Sequence, residues 1–110
     1  MLMTTTSTLE GYVITKYFGL VSGEAATAPQ ELRKFAAFIK KEGGGRHPEF
    51  EKITRETRQM ATLNLEQEAM EFGANAVIGV EFHYEYFAHD GLMMITVSGT
   101  AVIIEDKRKR

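Results

Sequence analysis

The stretch AVIGVEFHYEYF at residues 76–87, the tetrapeptide AHDG at 88–91 and the run LMMITVSGTAVII at 92–104 decide the fold. Both long runs are rich in β-branched and aromatic residues, and Asp90-Gly91 between them is a typical hairpin dipeptide. Together they predict an antiparallel hairpin. Alternation in the first run sets Ala76, Ile78, Val80, Phe82, Tyr84 and Tyr86 on one face. Val77, Gly79, Glu81, His83, Glu85 and Phe87 take the other. In the return run Met93, Ile95, Val97, Ala101 and Ile103 share a face, and Gly99 marks a bulge or a close backbone contact.

Upstream of the hairpin, residues 48–72 read as a helix opened by Pro48 and closed by Gly73. Its apolar positions Phe50, Ile53, Met60, Leu63, Leu65, Met70 and Phe72 form no single stripe. A helix of that length spans roughly 36 Å, more than one small core requires. Before it, Leu32, Phe35, Ala36 and Ile39 recur at helical spacing, which predicts a further helix over Pro29–Glu42, stopped by Gly43-Gly44-Gly45. Tyr12 to Val21 is β-branched and aromatic with apolar residues on both parities, a strand that Ser22-Gly23 is expected to end. Met1 to Thr6 reads as a short strand or arm. The order strand, strand, helix, helix, strand, strand implies an α+β domain, a mainly antiparallel sheet with two helices.

The 110 residues suit one domain over 1–106 with a basic tail at 107–110. Apolar residues at 44% and charged residues at 25% exclude a disordered chain. No run approaches the roughly 18 apolar residues of a membrane-spanning helix, and no signal peptide is evident. The absence of cysteine rules out a disulfide framework, a thiolate nucleophile and a thiolate metal site, and a cytoplasmic setting is expected. Setting Lys107, Arg108, Lys109 and Arg110 aside leaves nine Lys and Arg against 15 Asp and Glu, a balance of −6. An acidic body with a tail lacking interleaved aromatics argues against nucleic acid as a partner.

Three features bear on chemistry. Glu81, His83 and Glu85 occupy alternate positions of one strand, so their side chains point the same way. Carboxylate and imidazole suit zinc, manganese or nickel, and a divalent cation is the one cofactor this stripe would take. Alternation alone accounts equally for a solvated strand face. Gly44, Gly45 and Arg46 precede a helix and are candidates for an anion or small ligand, although they lack the lysine and spacing of a phosphate loop. A flexible turn is the structural alternative. Neither His47 nor His89 belongs to a recognised metal spacing, and no nucleophile–base pair can be picked out.

Several short motifs carry a resemblance: Thr4-Thr5-Thr6 with Leu9-Glu10-Gly11, Gly19-Leu20-Val21-Ser22-Gly23-Glu24-Ala25, and Gly44-Gly45-Arg46 with Phe50-Glu51. The most specific are Gly73-Ala74-Asn75-Ala76-Val77-Ile78-Gly79-Val80 and Ser98-Gly99-Thr100-Ala101-Val102. On these residues the chain resembles the YbjQ-like family of bacterial and archaeal domains, labelled heavy-metal-binding and of uncharacterised function. The family commonly has Tyr where this chain has Phe50, and residues 28–35 depart from its pattern. The resemblance implies a small α+β subunit in a ring-shaped homopentamer.

A strand apolar on both faces and a long helix with a broad apolar surface need more cover than one chain supplies. The expectation is therefore a homo-oligomer that binds a small ligand or cation at subunit interfaces or in a central pore, without catalysis. An enzyme acting at a subunit boundary through Arg46, His83 and Glu81 or Glu85 is the alternative. If the ring is obligate, a charge at Ile95 or Val97 is expected to abolish soluble folded protein.

Overall fold

Two 15-residue strands lying side by side, one of them an arm of the predicted hairpin, form the spine of the protein. The structure is a computed structural model that describes residues 1–27, 48–87 and 92–109. Its elements are β1 (Leu2–Met3), β2 (Tyr12–Ala26), α1 (Pro48–Glu71), β3 (Ala76–Phe87) and β4 (Leu92–Asp106), followed by a single 3₁₀ turn, Lys107–Lys109. The helix expected over Pro29–Glu42, the turn Gly43-Gly44-Gly45 and the hairpin turn at Ala88–Gly91 lie outside the described residues.

The strands form one sheet in the order β1-β3-β4-β2. The hairpin is as expected: β3 and β4 are antiparallel from Ala76 opposite Val102 to Phe87 opposite Leu92. β2 is antiparallel to the other side of β4, from Tyr12 opposite Asp106 to Ala26 opposite Met94. The N-terminal arm breaks the pattern, because β1 runs parallel to β3 through Leu2–Ala76 and Met3–Val77. The sheet is thus mixed, not mainly antiparallel. The Val77 carbonyl accepts from the Thr4 N–H, and the Gly79 and Val80 N–H groups donate to the Thr6 and Thr4 carbonyls. A two-residue strand carries no sequence signal for its direction; those three bonds set it.

β2 also runs on through Ser22-Gly23 to Ala26 instead of ending there. Glycine is needed at 23 for room. A β-carbon at that position would collide with the Ala61 carbonyl and the Leu65 amide of α1. The helix packs chiefly on β2, and its buried positions Thr57, Ala61, Leu65 and Ala69 recur every fourth residue. This is a narrow stripe of mostly small side chains, suited to close approach of helix to sheet. The large residues Met60, Leu63, Met70 and Phe72 stay exposed. Gly73 ends the helix in the left-handed region at φ +87°. Its N–H donates to Met70 and that of Ala74 to Ala69, the paired bonds of a Schellman cap.

Between Ile78 and Glu81 the ladder shifts, with Gly79 and Val80 together facing Gly99. Gly79 takes φ +61°, so this is a β-bulge, and it lies in β3 rather than at Gly99. Gly99 supplies the space opposite, where a β-carbon would sit 2.6 Å from Val77 Cγ1. The extra residue reverses the facing of the strand. Val77, Val80 and Phe82 pack with Val21, Ile95, Val97, Ala101 and Leu65 under the helix. Ala76 and Ile78 join Val102 and Ile104 in a second cluster on the opposite face, capped by Leu9, Tyr12 and Ile14. The expectation that Ala76 and Ile78 share a face with Val80 and Phe82 therefore fails, because uninterrupted alternation ignores the bulge.

Candidate functional site

Downstream of the bulge, Glu81, His83 and Glu85 stand on the sheet face away from α1. They lie opposite Ser98, Thr96 and Met94 of β4, and beyond these stand Ser22, Glu24 and Ala26 of β2. The structure brings two of the three together: His83 Nε2 lies 3.7 Å from Glu81 Oε2, with the side chains 62% and 73% exposed. A polar contact that open to water contributes little. Glu85 follows on the same face at the next alternate position. No three His, Asp or Glu groups among the described residues converge to hold a metal ion. The softest metal ions further call for thiolate ligands, and the chain has no cysteine. The described residues of a single chain assemble no metal centre of three such ligands. Gly44, Gly45, Arg46, His47 and His89 lie outside the described residues.

Two of the family-like motifs have clear structural roles within the chain. Asn75 follows the Schellman cap, and its side chain acts as an extra rung of the sheet. Its Nδ2 donates to the Ile104 carbonyl at 3.0 Å, and its Oδ1 accepts from the Ile104 N–H at 2.8 Å. β3 begins one residue later, so without Asn75 the outward backbone groups of Ile104 would face no strand. The sequence reading missed this role; an amide residue at a helix–strand junction was the available signal. In the N-terminal arm the Thr4 and Thr6 hydroxyls hydrogen-bond each other at 2.8 Å, and the Thr6 hydroxyl donates to the Thr8 carbonyl at 2.6 Å. These hydroxyls brace the arm that covers the bulge.

The C-terminal end holds a shallow hollow of about 630 Å³ between Tyr12, Asn75, Ile104 and Asp106. Asp106, one of the acids lining it, is already partnered. Asp106 accepts from Arg108 Nη2 at 3.0 Å, Nε at 3.2 Å and the Arg108 N–H at 2.9 Å. These bonds hold the Asp106 carboxyl below its ordinary value of 3.8 and raise that of the Arg108 guanidinium. The first half of the basic tail is thereby folded back on its own strand.

What remains conspicuous is apolar surface. Leu20 is 75% exposed on the open sheet face and Tyr17 is 65% exposed. Tyr84 and Tyr86 are each about half exposed on the opposite face of β3. Ile95 and Val97, expected to mark a subunit interface, are instead fully buried within the chain beneath α1. A charge there would test the internal core. No helix among the described residues is long and apolar enough to cross a membrane.

A family model described as "Putative heavy-metal-binding", that of the YbjQ family, matches residues 1–105. Among solved structures, the chain is similar to a protein of unknown function of the DUF74 family from Pediococcus pentosaceus. The two share 19% identity and a TM-score of 0.57, over 96% of this chain and 98% of that one. At that identity the likeness concerns the α+β fold alone.

Proposed function

The chain belongs to the YbjQ family, and from that premise we propose that it is the subunit of a cytoplasmic, non-enzymatic homo-oligomer. The observation that carries this reading is the uncovered apolar surface of the sheet, Leu20 and Tyr17 above all. Contiguous apolar patches above a few hundred Å² are rare on soluble monomers. The shape supports it as well: the protein extends 60 × 23 × 15 Å with a radius of gyration of 17.5 Å, against about 13 Å for a compact chain of this length. An extended subunit with Leu20 and Tyr17 open to water gains its remaining burial from neighbours. The five-membered ring is the count that the family resemblance implies.

Cation binding, on this reading, belongs to the assembly and not to one chain. Glu81, His83 and Glu85 supply ligand atoms without a cage, and copies of the stripe from other subunits would complete one. Such binding is weak, because carboxylate and imidazole are exposed and compete with water. A catalytic reading has no nucleophile–base pair among the described residues to support it.

Light scattering at micromolar concentration tests the assembly. The expected result is a single species several times the 12.4 kDa chain mass, reduced in mass by Leu20→Asp. A species of one chain mass refutes the reading, and a clean dimer or hexamer refutes the ring of five alone. Equilibrium dialysis against zinc and nickel tests the cation. Weak uptake that His83→Ala abolishes is expected, and unchanged stoichiometry in that variant removes the stripe.

A further inference from the structure

The two outer edges of the sheet are treated differently. On β2 the outward Ser22 N–H donates to Glu68 Oε2 of α1, and the outward Glu24 carbonyl accepts from Asn64 Nδ2. Two further irregularities, between Ile14 and Lys16 and between Tyr17 and Gly19, break up the rest of that edge. Capping side chains and bulges are the usual means of keeping an edge from pairing. On β3 the arm covers the edge only as far as Val80, whose N–H donates to the Thr4 carbonyl. Beyond it, among the described residues, no strand, helix side chain or bulge covers the edge.

The backbone phase of that segment follows from the register. Ser22 and Glu24 point away from β4, so Val21, Gly23 and Ala25 pair with Gly99, Val97 and Ile95. Ser98, Thr96 and Met94 then turn their backbone groups to β3, where Glu81, His83 and Glu85 receive them. The N–H and C=O groups of Phe82, Tyr84 and Tyr86 are left pointing outward, three residues of edge that no described strand pairs with.

We propose that this edge, Glu81–Phe87, pairs antiparallel with the same edge of a second copy about a two-fold axis at Tyr84. The proposal rests on the reading of the chain as self-associating and names one contact within it. The sequence is self-complementary in this register. His83 falls opposite Glu85 of the second copy, and Glu85 opposite its His83, so each imidazole meets a carboxylate at cross-strand distance. On the other face Phe82 meets Tyr86 of the second copy, and Tyr84 meets its own counterpart, an aromatic ladder that covers the exposed rings. A shift of two residues along the edge to a two-fold axis at His83 would instead set Glu81 against Glu85. Charge complementarity thus selects both the occupant and the register. A contact of this isologous kind joins chains in pairs, so five-membered rings that use it meet a second ring.

The chain's lack of cysteine makes the test direct. In Tyr84→Cys the two-fold brings the new thiols to Cα atoms about 5.5 Å apart, within disulfide range. Mild oxidation is expected to give a covalent dimer at twice the 12.4 kDa chain mass, while the exposed control Gln59→Cys stays uncrosslinked. Sedimentation provides the second arm. His83→Glu sets like charges opposite each other and should at least halve the mass of the assembly, and adding Glu85→His should restore it. Failure of Tyr84→Cys to crosslink in protein that still self-associates overturns the edge pairing and leaves the oligomer reading standing. Failure of the charge swap to rescue His83→Glu overturns the register. Wild-type protein sedimenting as single chains at all concentrations refutes both.

Discussion

Gly23→Ala is a one-carbon change with a large expected cost. The new β-carbon would meet the Ala61 carbonyl oxygen and the Leu65 amide nitrogen, both in the backbone of α1. No rotamer can relieve the overlap, so the helix must retreat from β2 by on the order of 1 Å. A gap of that size forfeits a quarter to a half of the dispersion attraction across the contact. Overpacking alone costs about 1–3 kcal/mol. The same retreat stretches the 2.9 Å bond from Asn64 to the Glu24 carbonyl and the 3.4 Å bond from Ser22 to Glu68, each worth about 1 kcal/mol. The total is about 3–5 kcal/mol, a large part of an ordinary domain's stability. Urea unfolding followed by far-UV circular dichroism measures it, at one fixed protein concentration because self-association adds stability by mass action. With a slope near 2 kcal/mol/M, the midpoint should fall by on the order of 2 M. Gly73→Ala is the comparison. It meets open space at φ +87° and costs only the left-handed backbone penalty of about 1–2 kcal/mol. Should Gly23→Ala prove no more damaging than Gly73→Ala, the claimed close approach of helix and strand is wrong.

Asn75→Ala leaves the Ile104 N–H and C=O without partners and should cost about 2–4 kcal/mol. Amide exchange at Ile104 should accelerate in that variant, and retained protection would show that the Asn75 side chain is not the rung described. Asp106 should titrate below 3.8 in an NMR pH series and move back toward that value in Arg108→Ala. Because the folded value is depressed, the stabilisation from this pair is present above the ordinary carboxylate value. It is lost as pH falls through the folded one. An Asp106 titration unchanged by Arg108→Ala contradicts the pairing.

The hairpin, the long helix and its glycine cap were legible because each rests on local chemistry: alternation with Asp90-Gly91, Pro48 at the start, Gly73 at the end. Family membership was legible from short motifs strung along the whole chain. The extension of β2 past Ser22-Gly23 was not, since glycine looks the same in a sequence whether it breaks a strand or admits a helix. The parallel pairing of β1 escaped for a related reason: its direction is fixed by hydrogen bonds to residues more than 70 positions away. For the candidate site, the shared face of Glu81, His83 and Glu85 was readable from spacing. Which face it was, and that the group stays open to water, depended on the bulge upstream. The expectation that Ile95 and Val97 face a neighbour failed because apolar alternation identifies a buried face without saying which chain buries it.

Gly79 and Val80 opposite Gly99 act as a phase inverter on β3. Everything before them obeys one parity and everything after them the other, so the strand's meaning depends on its length at that point. Deleting a single residue there would turn Glu81, His83 and Glu85 toward α1 and send Phe82, Tyr84 and Tyr86 to the opposite side. Substitutions along the strand are local events, whereas a change of length is read by every residue up to Phe87. A deletion scan of residues 76–87 should accordingly show loss of folded protein at 79 and 80 even though Gly79 itself is exposed. This stretch can vary its letters far more freely than their number.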